Sequence, residues 1–535
     1  MTRPGAPYDY LLHHSLRSGA RKHPEKEAIV CGEERLAYAR VWRDACSLAH
    51  HLRELGVARG DRVGIYMDAR ASQAVAIFAI SRAGAVFVPI NELLFPEQVA
   101  HIAKDCGLRA LITSSAKLER VEELLSLTPV SLVIVDGDGD GDGHAETLPS
   151  EVLSYRELVS SAPSDPGSDR AVGKDLAALI YTSGSTGRAK GVMLSHEQIR
   201  AGAAIVSDYL SIDETDRTLA ALPFSFDAGL NQLMTGVFRG ATVIIKSFVF
   251  ARELVQTLVE ERITGMGGVP TLWSLLAQPS SSLSQHQLPE LRYISNTGGA
   301  LPLPVLRTLQ ELLPTTQVFL MYGLTEAFRS TYLPPEEVAR RPTSMGHAIP
   351  NTEIMIVDDD GALCGPDEVG ELVHRGPTVS MGYWGQPELT EKMLRPHPHL
   401  PPELGRHEHV VYSGDLVKKD EDGFLYFVAR RDGMIKSSGY RVSPTEVELV
   451  LFQSDAVAEV AVIGVPDERL GQSIKAFVVA AEGTTLDVES LAAHCAEHLP
   501  RHMIPRDFSV LDALPKTGSR KVDYPELRRL HDDGA

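Results

Sequence analysis

The chain has 535 residues, of which 43% are hydrophobic and 23% are charged, and its formal net charge is −19. This length exceeds what one hydrophobic core serves, so we expect at least two domains, and the ordinary composition excludes a fibrous or wholly disordered chain. The acidic balance argues against binding to nucleic acid or to anionic lipid. Five scattered cysteines without a CxxC pair predict neither a disulfide framework nor a zinc site, and they favour a cytoplasmic protein.

The first residues show no basic flank followed by an apolar run and a cleavage site, so we predict no secretory signal. The most apolar stretch, AVAIFAISRAGAVFVPI, contains Arg82 and Gly84, which indicates buried core rather than a membrane span. The tract DGDGDGDGH, which begins at Asp136, is followed by Thr147 where a calcium loop needs a bidentate Glu. We therefore predict a solvated linker there. The sequence predicts no particular oligomeric state.

The element pattern changes twice along the chain. From Asp61 to Ile134, short β-branched runs alternate with stretches of helical period, which predicts a parallel sheet with crossover helices. The pattern resumes from LAALIYTS to QVFLMYG, and we assign these runs to a second α/β unit. After residue 350, runs separated by DDDG and DEDG predict hairpins. From about Arg431 the chain returns to mixed helix and strand.

These patterns predict a mixed α/β protein of two domains. We expect a large N-terminal domain, residues 1–431, composed of two doubly wound α/β subdomains and a β subdomain. We expect a small, mobile α+β C-terminal domain over residues 432–535.

The motif with the clearest chemistry is YTSGSTGRAKG, between the apolar runs LAALI and VML. Its glycines permit a tight turn with inward-pointing amides, its hydroxyls add donors and its lysine adds charge, which together suit a polyphosphate. It is not a Walker loop, since no Gly-Lys-Ser/Thr sequence occurs, and a flexible linker does not fit between two strands. Ser195 and Gln198 form a predicted capping box for the next helix. The candidate ATP-binding residues of the motif are Thr182, Ser183, Gly184, Ser185, Thr186, Gly187 and Lys190.

The motif YTSGSTGRAKG resembles the signature of the superfamily that comprises AMP-forming acyl- and aryl-CoA ligases, adenylation domains and luciferases. Similar segments follow in the superfamily's order, namely NTGGALP, MYGLTEA, YSGDLVKKDEDGFLYFVARRDGMIKSSGYRVSPTEVE and PKTGSRK, so the resemblance covers nearly the whole chain. MYGLTEAFRSTYLPPEE and LPFSFDAGLNQL are also similar to stand-alone acyl-CoA ligases found beside exosortase-type loci. The resemblance implies that ATP converts a carboxylic acid to an acyl-adenylate, whose acyl group then passes to a thiol, most simply that of CoA.

The resemblance also implies roles in nucleotide binding. Tyr322 would lie against the adenine, and Asp415 would accept hydrogen bonds from both ribose hydroxyls with support from Arg430. Glu326 would bind Mg²⁺, which needs few protein ligands when it is bound to ATP. Lys521 would reach the α-phosphate and the substrate carboxylate, where charge develops, although the family's usual Gly before this lysine is Arg520 here. The remaining implied nucleotide residues are Gly298, Gly299, Ala300, Gly323 and Thr325, the last of which would hydrogen-bond phosphate and is also a catalytic candidate.

The family rotates its C-terminal domain between adenylation and thiol attack. By resemblance, Asp432 would be the hinge. After rotation, Lys436, Gly439 and Tyr440 would line the thiol tunnel, with Lys436 a catalytic candidate, and Arg441 would contact a phosphate of the pantetheine carrier.

The implied acid pocket contains Phe226, Asp227, Met321 and Arg329. Amino-acid-activating relatives use an Asp at the position of Asp227 to bind the substrate ammonium, but this Asp also suits a helix cap, and both interpretations stay open. Arg329 would suit a second carboxylate or another polar group. Two alternatives to an acyl-CoA ligase remain: a stand-alone adenylation enzyme that loads an amino acid onto the phosphopantetheine of a carrier protein in trans, and an inactive nucleotide-binding protein.

Overall fold

A computed structural model describes the chain over residues 9–137, 151–161, 168–182, 189–248, 250–405, 408–431, 433–437, 440–454, 456–467, 470–517 and 521–534. The strands of this part, in chain order, are β1 (Glu27–Cys31), β2 (Glu34–Ala37), β3 (Arg62–Tyr66), β4 (Val86–Pro89), β5 (Leu108–Ser114), β6 (Leu132–Asp136), β7 (Glu151–Ser154), β8 (Leu176–Thr182), β9 (Lys190–Ser195), β10 (Arg217–Ala220), β11 (Thr242–Ile245), β12 (Gly265–Gly268), β13 (Tyr293–Asn296), β14 (Gln317–Tyr322), β15 (Thr331–Leu333), β16 (His347–Ala348), β17 (Glu353–Val357), β18 (Gly370–Arg375), β19 (Leu394–Pro396), β20 (His409–Lys419), β21 (Leu425–Arg430), β22 (Ile435–Ser437), β23 (Tyr440–Val442), β24 (Val457–Asp467), β25 (Gly471–Ala480) and β26 (Asp507–Val510).

Helices flank these strands. They are α1 (Leu12–Lys22), α2 (Tyr38–Glu54), α3 (Ala71–Ala83), α4 (Pro96–Asp105), α5 (Ser115–Leu125), α6 (Tyr155–Ser160), α7 (His196–Tyr209), α8 (Asp227–Arg239), α9 (Ala251–Glu260), α10 (Pro270–Ala277), α11 (Leu303–Leu312), α12 (Pro335–Val338), α13 (Pro387–Met393), α14 (Pro402–Gly405), α15 (Pro444–Leu451), α16 (Val488–His498) and α17 (Tyr524–Gly534). None of the described helices is long and apolar enough to cross a bilayer.

Two large sheets form the α/β part of the protein. The first sheet has seven strands in the order β7-β6-β5-β3-β4-β8-β9, and the second has nine in the order β16-β15-β14-β13-β12-β10-β11-β1-β2. Helix α3 is buried at every residue and contacts β3 and β4 of the first sheet and β1 of the second. The prediction that the most apolar stretch is buried core is therefore confirmed.

The sequence-based assignment of β8 was wrong. We assigned the run at residues 176–182 to the second α/β unit, but β8 pairs in parallel with β4 through Phe87 and Ala178, and so belongs to the first sheet. Conversely, β1 from the N-terminal region joins the second sheet, where Ile29 is paired with Val243 of β11. An apolar strand is equally suited to either buried sheet, so its pairing depends on packing between distant segments.

The remaining strands form two smaller sheets. In the third sheet, β17, β18, β20 and β19 are neighbours and β21 pairs with β20, while the fourth contains β23, β22, β25, β24 and β26. The DDDG and DEDG segments form turns in which Gly361 and Gly423 have φ of 83° and 85°, which favours glycine. The predicted β subdomain, the small C-terminal α+β unit and the capping box of Ser195 and Gln198 at the start of α7 are confirmed.

Several buried histidines of the described residues have a lowered pKa. Burial lowers the pKa of His13 and of His374 to about 3, and that of His196 to about 4, from an ordinary value of 6.5. His13 contacts Ser81 and Asp169, and His374 lies 3.0 Å from the hydroxyl of Ser330. Because an unfolded chain would protonate these rings below pH 6.5, their contribution to stability is present above that pH and is lost as the pH falls.

We predict that the free energy of unfolding falls as the pH is lowered from 6.5 towards 4. His374→Gln removes one of these buried imidazoles, so this fall should be shallower by up to about 1.4 kcal/mol per pH unit. Urea unfolding of both proteins at a series of pH values measures the difference. His409→Gln is the matched control, since it removes an exposed imidazole. Equal pH dependence in wild type and His374→Gln would contradict the prediction.

Candidate active site

The β8–β9 hairpin carries the glycine- and hydroxyl-rich motif. Thr182 ends β8 and is paired with Lys190 at the start of β9, so the two ends of the motif lie side by side. The Nζ atom of Lys190 lies 5.8 Å from the ring centroid of Tyr383. The other predicted phosphate-binding residues of the motif lie outside the described residues: Ser183, Gly184, Ser185, Thr186 and Gly187.

Two loops leave the carboxyl ends of the neighbouring parallel strands β13 and β14, the position at which open α/β sheets bind ligands. The loop after β13 contains Gly298, whose φ of 79° suits a residue without Cβ. It is fixed by a hydrogen bond of 2.8 Å from the Asn296 side-chain amide to the carbonyl of Gly299. Gly299 and Ala300 are exposed, so their backbone is accessible to a ligand.

Asp415 joins the end of β14 to the third sheet. The hydroxyl of Tyr322 donates a hydrogen bond of 2.5 Å to Oδ2 of Asp415, whose Oδ1 lies 3.0 Å from Nε of Arg430. Asp415 and Arg430 face each other on β20 and β21, and Asp415 is 4% exposed. Burial and the nearby carboxylate raise the pKa of Tyr322 well above its ordinary value, so its hydroxyl remains a donor. Three of the predicted nucleotide residues therefore form one connected group.

The loop after β14 begins at Gly323 and carries Thr325 and Glu326. Tyr383 donates a hydrogen bond of 2.6 Å to Oε1 of Glu326, and the backbone amide of Ser380 donates to its carbonyl. Burial and Glu326 raise the pKa of Tyr383. Sequence reasoning missed Tyr383, for which the available signal was an aromatic pair between glycines in MGYWG. Tyr383 therefore links Glu326 to Lys190 of the hairpin.

Lys521 of the C-terminal region lies against the loop after β13. Its Cε atom is 3.1 Å, and its Nζ atom 3.6 Å, from the position that a Cβ atom on Gly298 would occupy. The Lys521 carbonyl accepts a hydrogen bond of 2.7 Å from the amide of Thr517, which fixes the backbone beside the lysine. Arg520 lies outside the described residues. The structure thus brings Lys521 to the same strand ends as Tyr322.

The predicted acid-binding residues lie around the N-terminus of α8. Phe226 is half-buried and is the N-cap residue of this helix, so the capping position belongs to it rather than to Asp227. Oδ1 of Asp227 accepts a hydrogen bond of 2.8 Å from the amide of Ala228, and Oδ2 lies 3.8 Å from Nη1 of Arg329. Met321 and Arg329 line a cavity of about 30 Å³ between α8 and the second sheet.

The predicted thiol-binding residues lie elsewhere in the fold. Lys436 is on β22 and is paired with Arg441 of β23, next to Tyr440, in a hairpin of the fourth sheet. The structure therefore does not place them on the strand ends that carry Tyr322 and Asp415. Gly439 and the predicted hinge Asp432 lie outside the described residues.

Comparison with known proteins identifies the family. Residues 16–384 match the family model "AMP-binding enzyme", and residues 446–521 match "AMP-binding enzyme C-terminal domain". The chain therefore belongs to the AMP-binding enzyme family.

Several of the similar proteins are CoA ligases. The chain is 33% identical to a feruloyl-CoA synthase from an Amycolatopsis species, over 95% of this chain and 97% of that one. It is 30% identical to a long-chain-fatty-acid–CoA ligase of Salmonella typhimurium, over 95% and 92% of the two chains. An anthranilate CoA ligase solved in complex with anthranoyl-AMP has a TM-score of 0.89 at 26% identity and covers 100% of this chain and 99% of its own. The predicted class, an AMP-forming acid–thiol ligase, is confirmed.

The loop that carries Glu326 depends on a close contact with α7. Phe328 is fully buried with φ of 58°, a conformation that is costly for a bulky residue. A Cβ atom on Gly202 of α7 would overlap the Phe328 ring. The absence of a side chain at Gly202 therefore allows this ring to hold the strained turn in place.

We predict that Gly202→Ala destabilises the protein by about 1–3 kcal/mol, the usual cost of overpacking, and lowers the rate of adenylation because the Phe328 turn shifts. Chemical unfolding and acid-dependent pyrophosphate release measure the two effects. Ala204→Ser, on the half-buried side of the same helix, is the control. If Gly202→Ala retained wild-type stability and rate, the proposed dependence on this contact would be wrong.

Proposed function

We propose that this enzyme activates a carboxylic acid with ATP and transfers the acyl group to CoA, by means of the residues at the ends of β13 and β14 and on β20. The observation that carries the assignment is the position of Lys521 beside Gly298, in the loop after β13, which is the strand next to the one that ends in Tyr322. Adenylation requires an anchored nucleotide and a positive charge near the reacting phosphate. Tyr322 and Asp415 would provide the first, and Lys521 would provide the second.

In the first step, an oxygen of the substrate carboxylate attacks the α-phosphorus of ATP and pyrophosphate leaves. Two anions must approach each other, so the ammonium of Lys521 would reduce their repulsion and stabilise charge on the phosphoryl oxygens. Thr182, Lys190 and Thr325, with the rest of the β8–β9 loop, would bind the departing phosphates. Asp415 would accept the ribose hydroxyls, and Tyr322 would lie beside the adenine.

Glu326 is the proposed ligand for Mg²⁺. Its carboxylate is oriented by the Tyr383 hydroxyl at 2.6 Å, and a hard oxygen donor of this kind suits the ion. When bound, Mg²⁺ would neutralise phosphate charge. Tyr383 would keep the carboxylate aimed from the end of β14.

In the second step, the sulfur of CoA attacks the acyl carbonyl, the bond to AMP breaks and the thiol proton is lost to solvent or a base. We place the domain boundary at residues 431–432 and the hinge at Asp432. Rotation of the C-terminal domain about this hinge would withdraw Lys521 from the nucleotide site and bring the β22–β23 hairpin to it. The residues of this hairpin that would then lie near the thiol are Lys436, Gly439, Tyr440 and Arg441.

CoA is favoured over a carrier protein because the similar proteins named above are CoA ligases that match the chain over nearly its full length. A cytoplasmic location is proposed because CoA and ATP are available there, and all five cysteines are free thiols. The resemblance to ligases of exosortase-type loci stays a prediction.

We predict that Lys521→Ala slows acid-dependent pyrophosphate release by about 100-fold or more, with ATP binding largely retained. The same variant should still transfer the acyl group from a synthetic acyl-adenylate to CoA, because the lysine serves only the first step. Arg528→Ala, another exposed cation of the C-terminal segment, is the control. If Lys521→Ala lost ATP binding but released pyrophosphate at the wild-type rate once ATP and acid were bound, the assignment would be wrong.

We predict that Asp415→Asn raises KM for ATP by about 10- to 100-fold, because charge-assisted hydrogen bonds to the ribose are lost. KM for the acid should change much less. Initial rates measured with each substrate varied in turn separate these effects, and the exposed Asp208→Asn is the control. An unchanged KM for ATP would remove Asp415 from the nucleotide site.

A further inference from the structure

The cavity between α8 and the second sheet has polar groups that lack partners. Within the described part of the chain, three buried side-chain atoms on its lining have no hydrogen-bond partner: Nε of Arg329, Nδ2 of Asn231 and Oε1 of Gln232. Arg329 is 5% exposed and Asn231 is 3% exposed. Buried polar groups are normally paired, since leaving one unpaired costs free energy. Three such atoms around one cavity indicate a site completed by a ligand.

The orientation of these groups is set by their other contacts. The Gln232 side-chain amide donates a hydrogen bond of 2.8 Å to the carbonyl of Gly267, which directs its oxygen away from that strand. Nη1 of Arg329 lies 3.4 Å from the Thr297 hydroxyl and 3.8 Å from Asp227. The guanidinium is therefore anchored on one side and keeps Nε as a free donor.

The cavity borders the loop that Lys521 contacts. Thr297 lines it, and the next residue, Gly298, is the one against which Lys521 lies. An acid whose carboxylate is at Lys521 would therefore extend past Thr297 towards Arg329. This cavity is small, about 30 Å³, whereas a neighbouring cavity of about 660 Å³ shares Leu222 with it.

We propose that the acid activated by this enzyme carries a second oxygen function, which accepts hydrogen bonds from Arg329 and Asn231. The inference rests on the proposed function and adds the substrate class. A hydrocarbon chain or an unsubstituted aromatic ring would leave the polar atoms of the cavity unpaired.

The same contacts argue against an amino acid. The Asp227 carboxylate already accepts from the Ala228 amide and lies 3.8 Å from the Arg329 guanidinium. A substrate ammonium placed at Asp227 would also lie close to the Arg329 guanidinium. Repulsion between these two cations would offset the attraction of the ammonium to Asp227. Because Asp227 largely balances the charge of Arg329, the second oxygen function is either a carboxylate or a neutral hydroxyl or carbonyl.

The test is a panel of acids of matched chain length: unsubstituted, ω-hydroxy, keto, dicarboxylic and amino acids, together with a longer fatty acid and benzoate. Acid-dependent pyrophosphate release and the mass of the CoA thioester are measured for each. We expect kcat/KM for at least one oxygenated acid to exceed that of its unsubstituted counterpart by 10-fold or more. Comparison of the dicarboxylic acid with the hydroxy and keto acids then shows whether the second oxygen function is a carboxylate or a neutral group.

Two variants connect the preference to the cavity. Arg329→Met and Asn231→Leu should each reduce the ratio of kcat/KM for the oxygenated acid to that for its unsubstituted counterpart by 10-fold or more, mainly through KM for the oxygenated acid. Compared with Arg329→Met, Arg329→Lys should retain part of the preference for a dicarboxylic acid, but not the preference for a hydroxy or keto acid. Arg340→Met, in which an exposed arginine is replaced, is the matched control, and Asn231→Leu serves if the Arg329 variants do not fold.

The outcomes separate the two proposals. A preference for unsubstituted aliphatic acids, for benzoate or for amino acids would overturn the inference and leave the adenylation chemistry intact. An unchanged preference in Asn231→Leu and in folded Arg329→Met would also overturn it. Pyrophosphate release with none of the acids would overturn the proposed function, and the inference would fall with it.

Discussion

The buried carboxylate of Asp415 joins the parts of the chain on which the candidate site depends. It accepts the Tyr322 hydroxyl from the second sheet and pairs with Arg430 on the adjacent strand of the third sheet. The Arg430 guanidinium and the Tyr322 hydroxyl thus provide partners for a carboxylate that is almost inaccessible to water. The end of β14 and the strand β20 are thereby held in one arrangement, which fixes the loops that follow β13 and β14.

Those loops depend on positions where a side chain is absent. Gly298 adopts a left-handed backbone conformation and leaves space for the Lys521 side chain, and Gly202 leaves space for the Phe328 ring. The strained turn at Phe328 directs Glu326 to Tyr383 on one side and Arg329 to Asp227 on the other. Strain of this kind persists only where surrounding packing determines it, and the rigidity it provides suits a site that must position two anions.

The residues that could be predicted from sequence are those whose chemistry is encoded locally. The YTSGSTGRAKG motif lies between two apolar strands, so the β8–β9 hairpin was foreseeable, as were the glycine turns of the third sheet. The sheet to which β8 belongs was not, because its pairing with β4 depends on distant packing. Tyr383 and the Asp227–Arg329 pair were equally inaccessible as contacts, since each joins segments that meet only in the folded chain.

The position of Lys521 suits a group that has to leave after one step. Its side chain is exposed, while its backbone is fixed to Thr517 within the C-terminal region, so the lysine would move with that region rather than on its own. An exposed ammonium against a glycine loop loses few contacts when it withdraws, whereas Asp415, Tyr322 and Glu326 are held by hydrogen bonds within the larger part of the protein. A division between fixed nucleotide ligands and a weakly held cation would allow one nucleotide site to serve both adenylation and thiol attack.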